Sequence, residues 1–225
     1  MEEYLETLLL TCQLAFCTTF ILVIVSIPLA YGLAFFRFRI KPIIEALISL
    51  PLVLPPTVLG FYLLVTFSPE NMLGHWLEKY LHVSLNFTFA GILIGSTIYS
   101  LPFMVHPIQA GFENFPSILL DASYTLGKSR MTTLWKVILP NIKPSLLSGI
   151  VLAFAHTMGE FGVILMIGGN IPGETRVASI VIYDLVEDLK YKQANQYALA
   201  LLLFSFVLLI ALYRLSRRTQ SHTLF

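Results

Sequence analysis

The stretch TLLLTCQLAFCTTFILVIVSIPLAYGLAFF, residues 7–36, contains no charged side chain. An α-helix rises about 1.5 Å per residue, so roughly 20 apolar residues cross the hydrocarbon layer of a bilayer. This stretch is therefore long enough to span a membrane. Four more stretches are long enough and, apart from Glu160, free of Asp, Glu, Lys and Arg: 46–69, 83–112, 144–173 and 193–213.

These five stretches predict an all-α integral membrane protein with a single transmembrane domain, 1–225. Unpaired backbone groups cannot face lipid, which leaves helices or closed barrels, and the strands of a barrel would alternate polar and apolar residues. The continuous apolar runs therefore indicate a bundle of about five transmembrane helices. The predicted spans are 7–36, 46–67, 87–112, 145–168 and 196–213.

The composition supports the same class of protein. Hydrophobic residues make up 56% of the chain and charged residues only 12%, and 14 basic residues nearly balance 13 acidic ones. Without a strong net charge, nothing points to a nucleic-acid partner. Cys12 and Cys17 fit neither a disulfide framework nor a metal site, and the acidic N-terminus is unlike a removable signal peptide.

The distribution of lysine and arginine predicts the orientation in the membrane, because cytoplasmic loops are enriched in these residues. Four lie in two loops assigned to the outside: Lys79, Arg176, Lys190 and Lys192. Ten lie in the alternating loops and the tail, which are assigned to the cytoplasm: Arg37, Arg39, Lys41, Lys128, Arg130, Lys136, Lys143, Arg214, Arg217 and Arg218. We therefore expect the N-terminus outside and the C-terminus in the cytoplasm.

The segment 115–144 fits neither a spanning helix nor a disordered linker. A helix is predicted to begin at Pro116 and to end at Gly127, a residue suited to a left-handed conformation. Ser129 is placed to cap a second short helix, which Pro140 is expected to end. The two helices would form a knob (residues 117–139) outside the membrane, with an apolar face too small to be a core of its own.

Such a knob is suited to docking into the groove of a partner protein. The alternative is an amphipathic helix that lies on the lipid surface. Asp121-Ala122-Ser123, then Gly127, then Ile138-Leu139-Pro140 resemble the cytoplasmic EAA loop of permeases in binding-protein-dependent ATP-binding cassette importers. In that family the loop carries a coupling helix seated in a cleft of the ATPase subunit.

This resemblance implies a type I importer permease fold with a cytoplasmic coupling loop at 113–143. Asp121 and Ser123 replace the usual glutamate and alanine of the motif, and both keep the size and character of the residue. The residues implied in ATPase docking are Asp121, Ala122, Ser123 and Gly127.

The same segment contains ASYTLGKS, residues 122–129, which fits a relaxed phosphate-loop pattern. A phosphate loop joins a strand to a helix in a parallel sheet, and this chain has no residues left to build one. HExxH and GxSxG motifs are also absent from the sequence. We therefore predict a permease subunit without a catalytic site, cofactor or metal, to which a separate ATPase supplies the energy of ATP.

Prolines interrupt the second predicted span at Pro51, Pro55 and Pro56. Proline removes a backbone donor, and a membrane interior tolerates this only where protein or water satisfies the freed carbonyl groups. A kinked helix is therefore predicted. Two uses of the kink stay open, a lining of a transport pathway and packing alone.

Gly159-Glu160-Phe161-Gly162 lies in the middle of the fourth predicted span, with His156 one turn earlier. A carboxylate at the bilayer centre costs about 2.5–3.5 kcal/mol on insertion scales, so Glu160 should face the bundle interior or water. One interpretation is a functional group in a pathway. The other is a buried structural hydrogen bond to His156 or to a backbone amide.

Three further patterns concern the outer side and the packing. Residues 168–176, GGNIPGETR, predict a shaped turn, followed by an outer helix within 177–190. Residues 68–86 predict a short interfacial helix. Gly91 and Gly95 would let another helix approach closely.

LPLVLPP (50–56), GEFG (159–162) and NIPGETR (170–176) together resemble the molybdate permease branch of these importers. The resemblance implies import of molybdate or tungstate across the inner (cytoplasmic) membrane, with sulfate or thiosulfate as the alternative. It implies a homodimer, two ATPase subunits and an extracytoplasmic oxyanion-binding protein as partners. The implied pathway or gate residues are Pro55, Pro56, Gly159, Glu160, Phe161 and Gly162.

Two other classes of function are compatible with part of the sequence. In an ion-coupled secondary transporter, Glu160 and His156 would form a proton relay, although no internal repeat of the kind common in such transporters is evident. In a purely structural subunit, the knob would serve only as a docking site.

Overall fold

The computed structural model describes residues 2–220, with the side chains of 5–207, 209–211 and 213–214, and this part of the chain is helical without a β-strand. The predicted all-α class is confirmed. In chain order the helices are α1 (Glu2–Phe35), α2 (Lys41–Val53), α3 (Pro56–Phe67), α4 (Met72–Trp76), α5 (Phe89–Glu113), α6 (Ser117–Thr125), α7 (Arg130–Thr133), α8 (Leu139–Asn141), α9 (Lys143–Met158), α10 (Gly162–Gly168), α11 (Ala178–Glu187) and α12 (Tyr191–Gln220).

Three helices in the described part, α1, α5 and α12, are individually long and apolar enough to cross a membrane. Two bent pairs raise the number to as many as five if each pair is one span: α2 with α3, and residues 130–141 with α9. The side chains of Arg217 and Arg218, which contribute to the orientation prediction, lie outside the part of the chain that the structure describes.

The second predicted span, 46–67, is not one kinked helix but two helices that meet at 114°. Leu54 and Pro55 between them are both extended, with ψ of 137°. Each of these residues precedes a proline, and the proline ring disfavours helical ψ for the residue before it. Consecutive prolines therefore end α2 and begin α3 within two residues.

The fourth predicted span, 145–168, is also divided. α9 ends at Met158, α10 begins at Gly162, and Phe161 between them has φ of −129°. The break coincides with the GEFG sequence. Two of the five predicted spans thus contain interruptions, and both interruptions fall on motifs that the sequence had marked.

α5 lies at the centre of the bundle and contributes to two buried clusters. The knob-side core combines α5 with α1, α2, α9 and the end of the knob: Leu22, Ala30, Leu33, Ile48, Met104, Val105, Ile108, Phe112, Phe115, Leu134, Ile138, Leu139, Ile142 and Ala153. The far-side core combines α5 with α1, α10 and α11: Leu14, Ile92, Ile164, Val177 and Ile180.

Glycines allow α10 to lie close to its neighbours. A Cβ on Gly95 of α5 would come within 2.7 Å of Ile167, and a Cβ on Gly60 of α3 would come within 2.7 Å of Met166. The close helix approach predicted from Gly91 and Gly95 is therefore confirmed within one chain. α12 contacts α9 and α11 but leaves most of its apolar surface exposed.

Candidate functional site

The knob has the local structure that its sequence predicts at its centre. α6 ends in a turn where Gly127 adopts a left-handed φ of 71°. Ser129 then caps α7, because its hydroxyl accepts a hydrogen bond of 3.2 Å from the amide of Thr132. The two halves are tied together by the buried hydroxyls of Ser123 and Thr133, which are 2.8 Å apart. The knob is consequently a fixed unit rather than a flexible loop.

The second helix ends at Asn141, one residue beyond the Pro140 that was expected to end it. A π-helical turn, Leu134–Ile138, ends two residues before this proline. The wider turn makes room for the ring, which in a regular α-helix would clash with the carbonyl group four residues earlier. The chain turns instead between Asn141 and Lys143, where α9 begins at 74° to the preceding segment.

The knob is packed against the membrane bundle. Leu134 and Ile138 are buried in the knob-side core together with Phe112 of α5 and Ile142 before α9. The apolar face therefore has two parts. One part belongs to the core of the bundle, and the other stays uncovered.

The uncovered part of the knob exposes several large apolar side chains. Ile118 is 74% exposed, Leu126 75% and Trp135 61%. Of the four residues implied in docking, Asp121, Ala122 and Gly127 are exposed beside this surface, whereas Ser123 is buried. Ser123 thus holds the knob together instead of contacting a partner directly. Exposed apolar clusters of this kind mark interaction surfaces.

Five of the six pathway candidates, all except Pro55, line one cleft where the two interruptions meet. A Cβ on Gly162 would lie 2.6 Å from the Cβ of Pro56, so the start of α10 packs in close contact with the start of α3. Beside this contact is an open cleft of about 500 Å³. Its lining consists of Pro56, Thr57, Tyr99, Ala155, His156, Gly159, Glu160, Phe161 and Gly162. Pro55 lies outside this lining, where it shapes the α2–α3 corner.

Glu160 is enclosed at this crossing, with only 4% of its surface exposed. Neither carboxyl oxygen has a hydrogen-bond partner of good geometry. The hydroxyl of Ser96 on α5, which also lacks another partner, is the polar group that interacts with it. The backbone is better held, because the hydroxyl of Ser179 on α11 donates to the Glu160 carbonyl at 2.5 Å.

His156 does not bind Glu160, so that part of the structural interpretation is wrong. Its Nδ1 is 2.9 Å from the hydroxyl of Ser100, and its ring stacks on Phe103 with centroids 4.0 Å apart. The hydroxyls of Ser100 and Thr157 are 3.0 Å apart, and Thr157 donates to the carbonyl of Ala153. The Glu160 carboxyl makes no bond to a backbone amide either.

The contribution of α5 to this cleft was not predicted from the sequence. Ser96, Tyr99 and Ser100 face the break between α9 and α10, although they are separated from it by more than fifty residues. Ser96 and Ser100 are spaced four apart, so they share one face of an otherwise apolar helix. That spacing is the signal from which a polar face could have been inferred.

The outer turn after α10 is shaped as predicted. Gly169, Asn170 and Gly173 all have positive φ. The buried hydroxyl of Thr175 closes the turn, since it donates to the Gly168 carbonyl at 2.7 Å and accepts from the Ile171 amide at 2.9 Å. α11 follows, within the predicted outer helix.

The segment 68–86 contains α4 and a π-helical turn, Leu77–Leu81. Trp76 and Tyr80 are exposed on it, with ring centroids 6.0 Å apart. Among the described residues, no three His, Cys, Asp or Glu side chains are close enough together to hold a metal ion.

Residues 23–221 match the family described as the inner membrane component of binding-protein-dependent transport systems. The chain belongs to this family of membrane permeases. The resemblance indicated by the EAA-like and GEFG sequences is thereby confirmed.

Within that family, the chain is similar to the molybdenum transport system permease protein ModB of Azotobacter vinelandii. The two are 47% identical over 98% of this chain and 97% of that protein. It is 32% identical to ModB of Haemophilus influenzae, over 87% of each chain. It is 33% identical to the sulfate transport system permease protein CysT of Escherichia coli K12, over 84% of this chain and 68% of that protein.

Solved structures share the fold at low sequence identity. The MetNI methionine transporter in an inward-facing conformation superposes with a TM-score of 0.74 at 16% identity, over 97% of each chain. A bacterial ATP-binding cassette transporter involved in the import of alginate superposes with a TM-score of 0.81 at 17% identity, over 97% of this chain and 80% of that one. The bundle with its knob is therefore the fold of ATP-binding cassette importer permeases.

Proposed function

We propose that this chain is the membrane-spanning subunit of an ATP-driven importer that carries molybdate, or the closely related tungstate, into the cytoplasm. The observation that carries the proposal is the 47% identity to a molybdenum permease along 98% of the chain. In this view the subunit hydrolyses nothing itself. It provides the passage, and partner subunits bind ATP.

The proposed assembly is a homodimer of this chain with two ATPase subunits and an extracytoplasmic oxyanion-binding protein. The uncovered apolar surface around Ile118, Leu126 and Trp135 supports docking of an ATPase at the knob. Asp121, Ala122 and Gly127 lie on this surface and are proposed to contact the ATPase. The exposed apolar side of α12 is available to lipid or to the second copy.

The proposed pathway passes the cleft where α3, α5, α9 and α10 meet. Interrupted helices at membrane depth are tolerated where they border protein or a water-filled cavity. Both interruptions border this cleft, and Pro56, Thr57 and Glu160 are part of its wall. We propose that movement of α10 relative to α3 opens and closes it.

The orientation proposed for the assembly places the knob and the C-terminus in the cytoplasm and the N-terminus outside. The lysines and arginines around the knob support it, because positively charged loops stay inside. The ATPase would then meet the knob on the side where ATP is available.

The test is to purify the tagged chain from its native membrane in mild detergent and to identify its companions by mass spectrometry. We expect a stoichiometric ATP-binding cassette ATPase. In proteoliposomes, ATP hydrolysis should be stimulated by the binding protein loaded with molybdate. If the chain purified alone and its uptake collapsed with the proton gradient, the importer proposal would be wrong and an ion-coupled transporter would replace it.

Sulfate is the second candidate substrate, favoured by the 33% identity to a sulfate permease. The same proteoliposomes distinguish the two anions. Stimulation by the sulfate-loaded binding protein alone would assign the chain to sulfate import.

A further inference from the structure

The inference concerns the charge state of Glu160 and its role toward the transported anion. Glu160 is the only carboxylic residue within the five predicted spans. In the structure it is 4% exposed, and neither of its oxygens has a well-formed hydrogen bond. A buried ionised carboxylate is stable only when it is paired and hydrogen-bonded. Among the described residues Glu160 has no ion pair, and its carboxyl interacts with one neutral hydroxyl, that of Ser96 on α5.

A second copy of the chain does not supply the missing positive charge. The five predicted spans contain no lysine or arginine, so two copies contain none at this depth either. The lining of the cleft includes no lysine or arginine. An ionised Glu160 would therefore stay unpaired in the dimer, at a large desolvation cost.

The other titratable groups at the crossing are His156 on α9 and Tyr99 on α5. Thr57 and Pro56 face it from α3 and Ser179 from α11, and none of these titrates at ordinary pH. A tyrosine hydroxyl is uncharged near neutral pH, so Tyr99 offers no positive charge. Only His156 needs a separate argument.

The hydrogen-bond chain fixes the proton position of neutral His156. The Thr157 hydroxyl donates its hydrogen bond to the Ala153 carbonyl, which can only accept. Ser100 must then donate its hydroxyl hydrogen to Thr157. In the contact between Ser100 and His156, the serine oxygen can therefore only accept, so Nδ1 of His156 carries the hydrogen. Nδ1 of His156 is therefore engaged by Ser100, and the ring makes no hydrogen bond or ion pair to the Glu160 carboxyl.

We infer that Glu160 acts as an uncharged carboxylic acid whose O–H is a hydrogen-bond donor to the tetrahedral oxyanion in the cleft. This rests on the proposed function as an oxyanion importer. A neutral carboxyl group has one donor, and donors to charged acceptors form stronger hydrogen bonds than donors to neutral ones. The carboxyl is covered in this conformation, so the donor reaches an anion when the break between α9 and α10 opens.

The experiment uses the full complex in proteoliposomes and measures uptake of molybdate driven by ATP. Glu160→Gln keeps the shape, the neutrality and an N–H donor. Glu160→Met keeps a comparable length and neutrality but has no donor. Both variants are compared with wild type only in preparations that retain the ATPase in stoichiometric amount, which controls for folding and assembly.

We expect Glu160→Gln to keep uptake within about threefold of wild type, and Glu160→Met to lose at least about tenfold, as for loss of one hydrogen bond to a charged group. As the pH is raised, wild-type uptake should fall relative to Glu160→Gln once ionisation removes the donor, since glutamine does not titrate. Dividing wild-type uptake by Glu160→Gln uptake at each pH cancels the pH dependence of the ATPase, because both complexes contain the same ATPase.

Two results would overturn the inference. If Glu160→Gln were as inactive as Glu160→Met, transport would need the ionised carboxylate. If Glu160→Met matched wild type, no donor would be in use. Failure of the proposed function looks different, because the wild-type complex would then show no ATP-dependent molybdate uptake at all.

Discussion

Two glycines show how single residues fix the geometry of this permease for different reasons. Gly127 is required by its backbone, because its φ is 71° while the space around it is open. Gly162 is required by space, because a Cβ there would lie 2.6 Å from Pro56. Gly159, three residues away in the same motif, is constrained by neither.

Replacing Gly127 by valine should strain the turn between α6 and α7, since β-branched residues are rare at positive φ. We expect weakened association with the ATPase and a loss of coupled uptake, measured by co-purification and by ATP-driven transport. Gly127→Asn is the matched control, because asparagine tolerates the left-handed region. Equal loss in both variants would show that the side chain, rather than the backbone angle, is responsible.

Replacing Gly162 by alanine should push α10 away from α3. We expect a destabilisation of about 1–3 kcal/mol, typical of overpacking, read as a lower midpoint of thermal unfolding for the purified complex. Gly159→Ala is the control, because a Cβ there meets no atom closer than 3.9 Å. A lower midpoint in the control, with Gly162→Ala unaffected, would contradict the proposed contact.

At the scale of elements, a hydrogen bond between two side chains joins the two halves of the knob. The hydroxyls of Ser123 and Thr133 are buried and 2.8 Å apart, and they join α6 to α7 across the turn. Removal of one partner leaves the other buried without a bond, which costs about 1–3 kcal/mol. The uncovered apolar side of the knob therefore depends on a bond between two buried hydroxyls.

Ser123→Ala and Thr133→Val should each increase amide hydrogen exchange across residues 117–141, and the double variant should show less than the sum. Non-additivity of this kind is expected for groups that bond to each other. Thr125→Ala is the control, because its exposed hydroxyl bonds only to the carbonyl of Asp121 in its own helix. Strict additivity in the double variant would mean that the two hydroxyls act independently.

At the scale of the whole molecule, the orientation can be tested with two exposed lysines. Cys12 and Cys17 are first replaced by serine, and single cysteines are then introduced as Lys79→Cys and Lys128→Cys. In right-side-out vesicles a membrane-impermeant maleimide should label position 79 but not 128, and permeabilisation should expose 128. The reverse pattern would invert the proposed topology.

The overall architecture was predictable because it depends on local sequence. Apolar runs gave the long helices, paired prolines and the GEFG sequence marked the interruptions, and Gly127 and Ser129 marked the turn of the knob. What escaped prediction depends on groups far apart in the chain. The bond from His156 to Ser100 joins residues 56 positions apart, and no local pattern reports it.

Two departures from the prediction arise within the knob. Pro140 indicates a helix end, but the helix passes it by one residue, because the π-helical turn before it removes the clash on which that expectation rests. Ser123 reads as part of a docking motif, but its neighbour across the turn buries it. In both cases another part of the knob determines the outcome: the π-helical turn for Pro140, and Thr133 for Ser123.

The shared core of the knob and the bundle has a consequence for protein engineering. Leu134 and Ile138 are buried against Phe112 of α5 and Ile142 ahead of α9. A chimaera that transplants only residues 117–139 from a related permease would cut through this packing and combine mismatched halves. An exchange intended to redirect the subunit to a foreign ATPase should therefore include the ends of α5 and α9 that meet the knob.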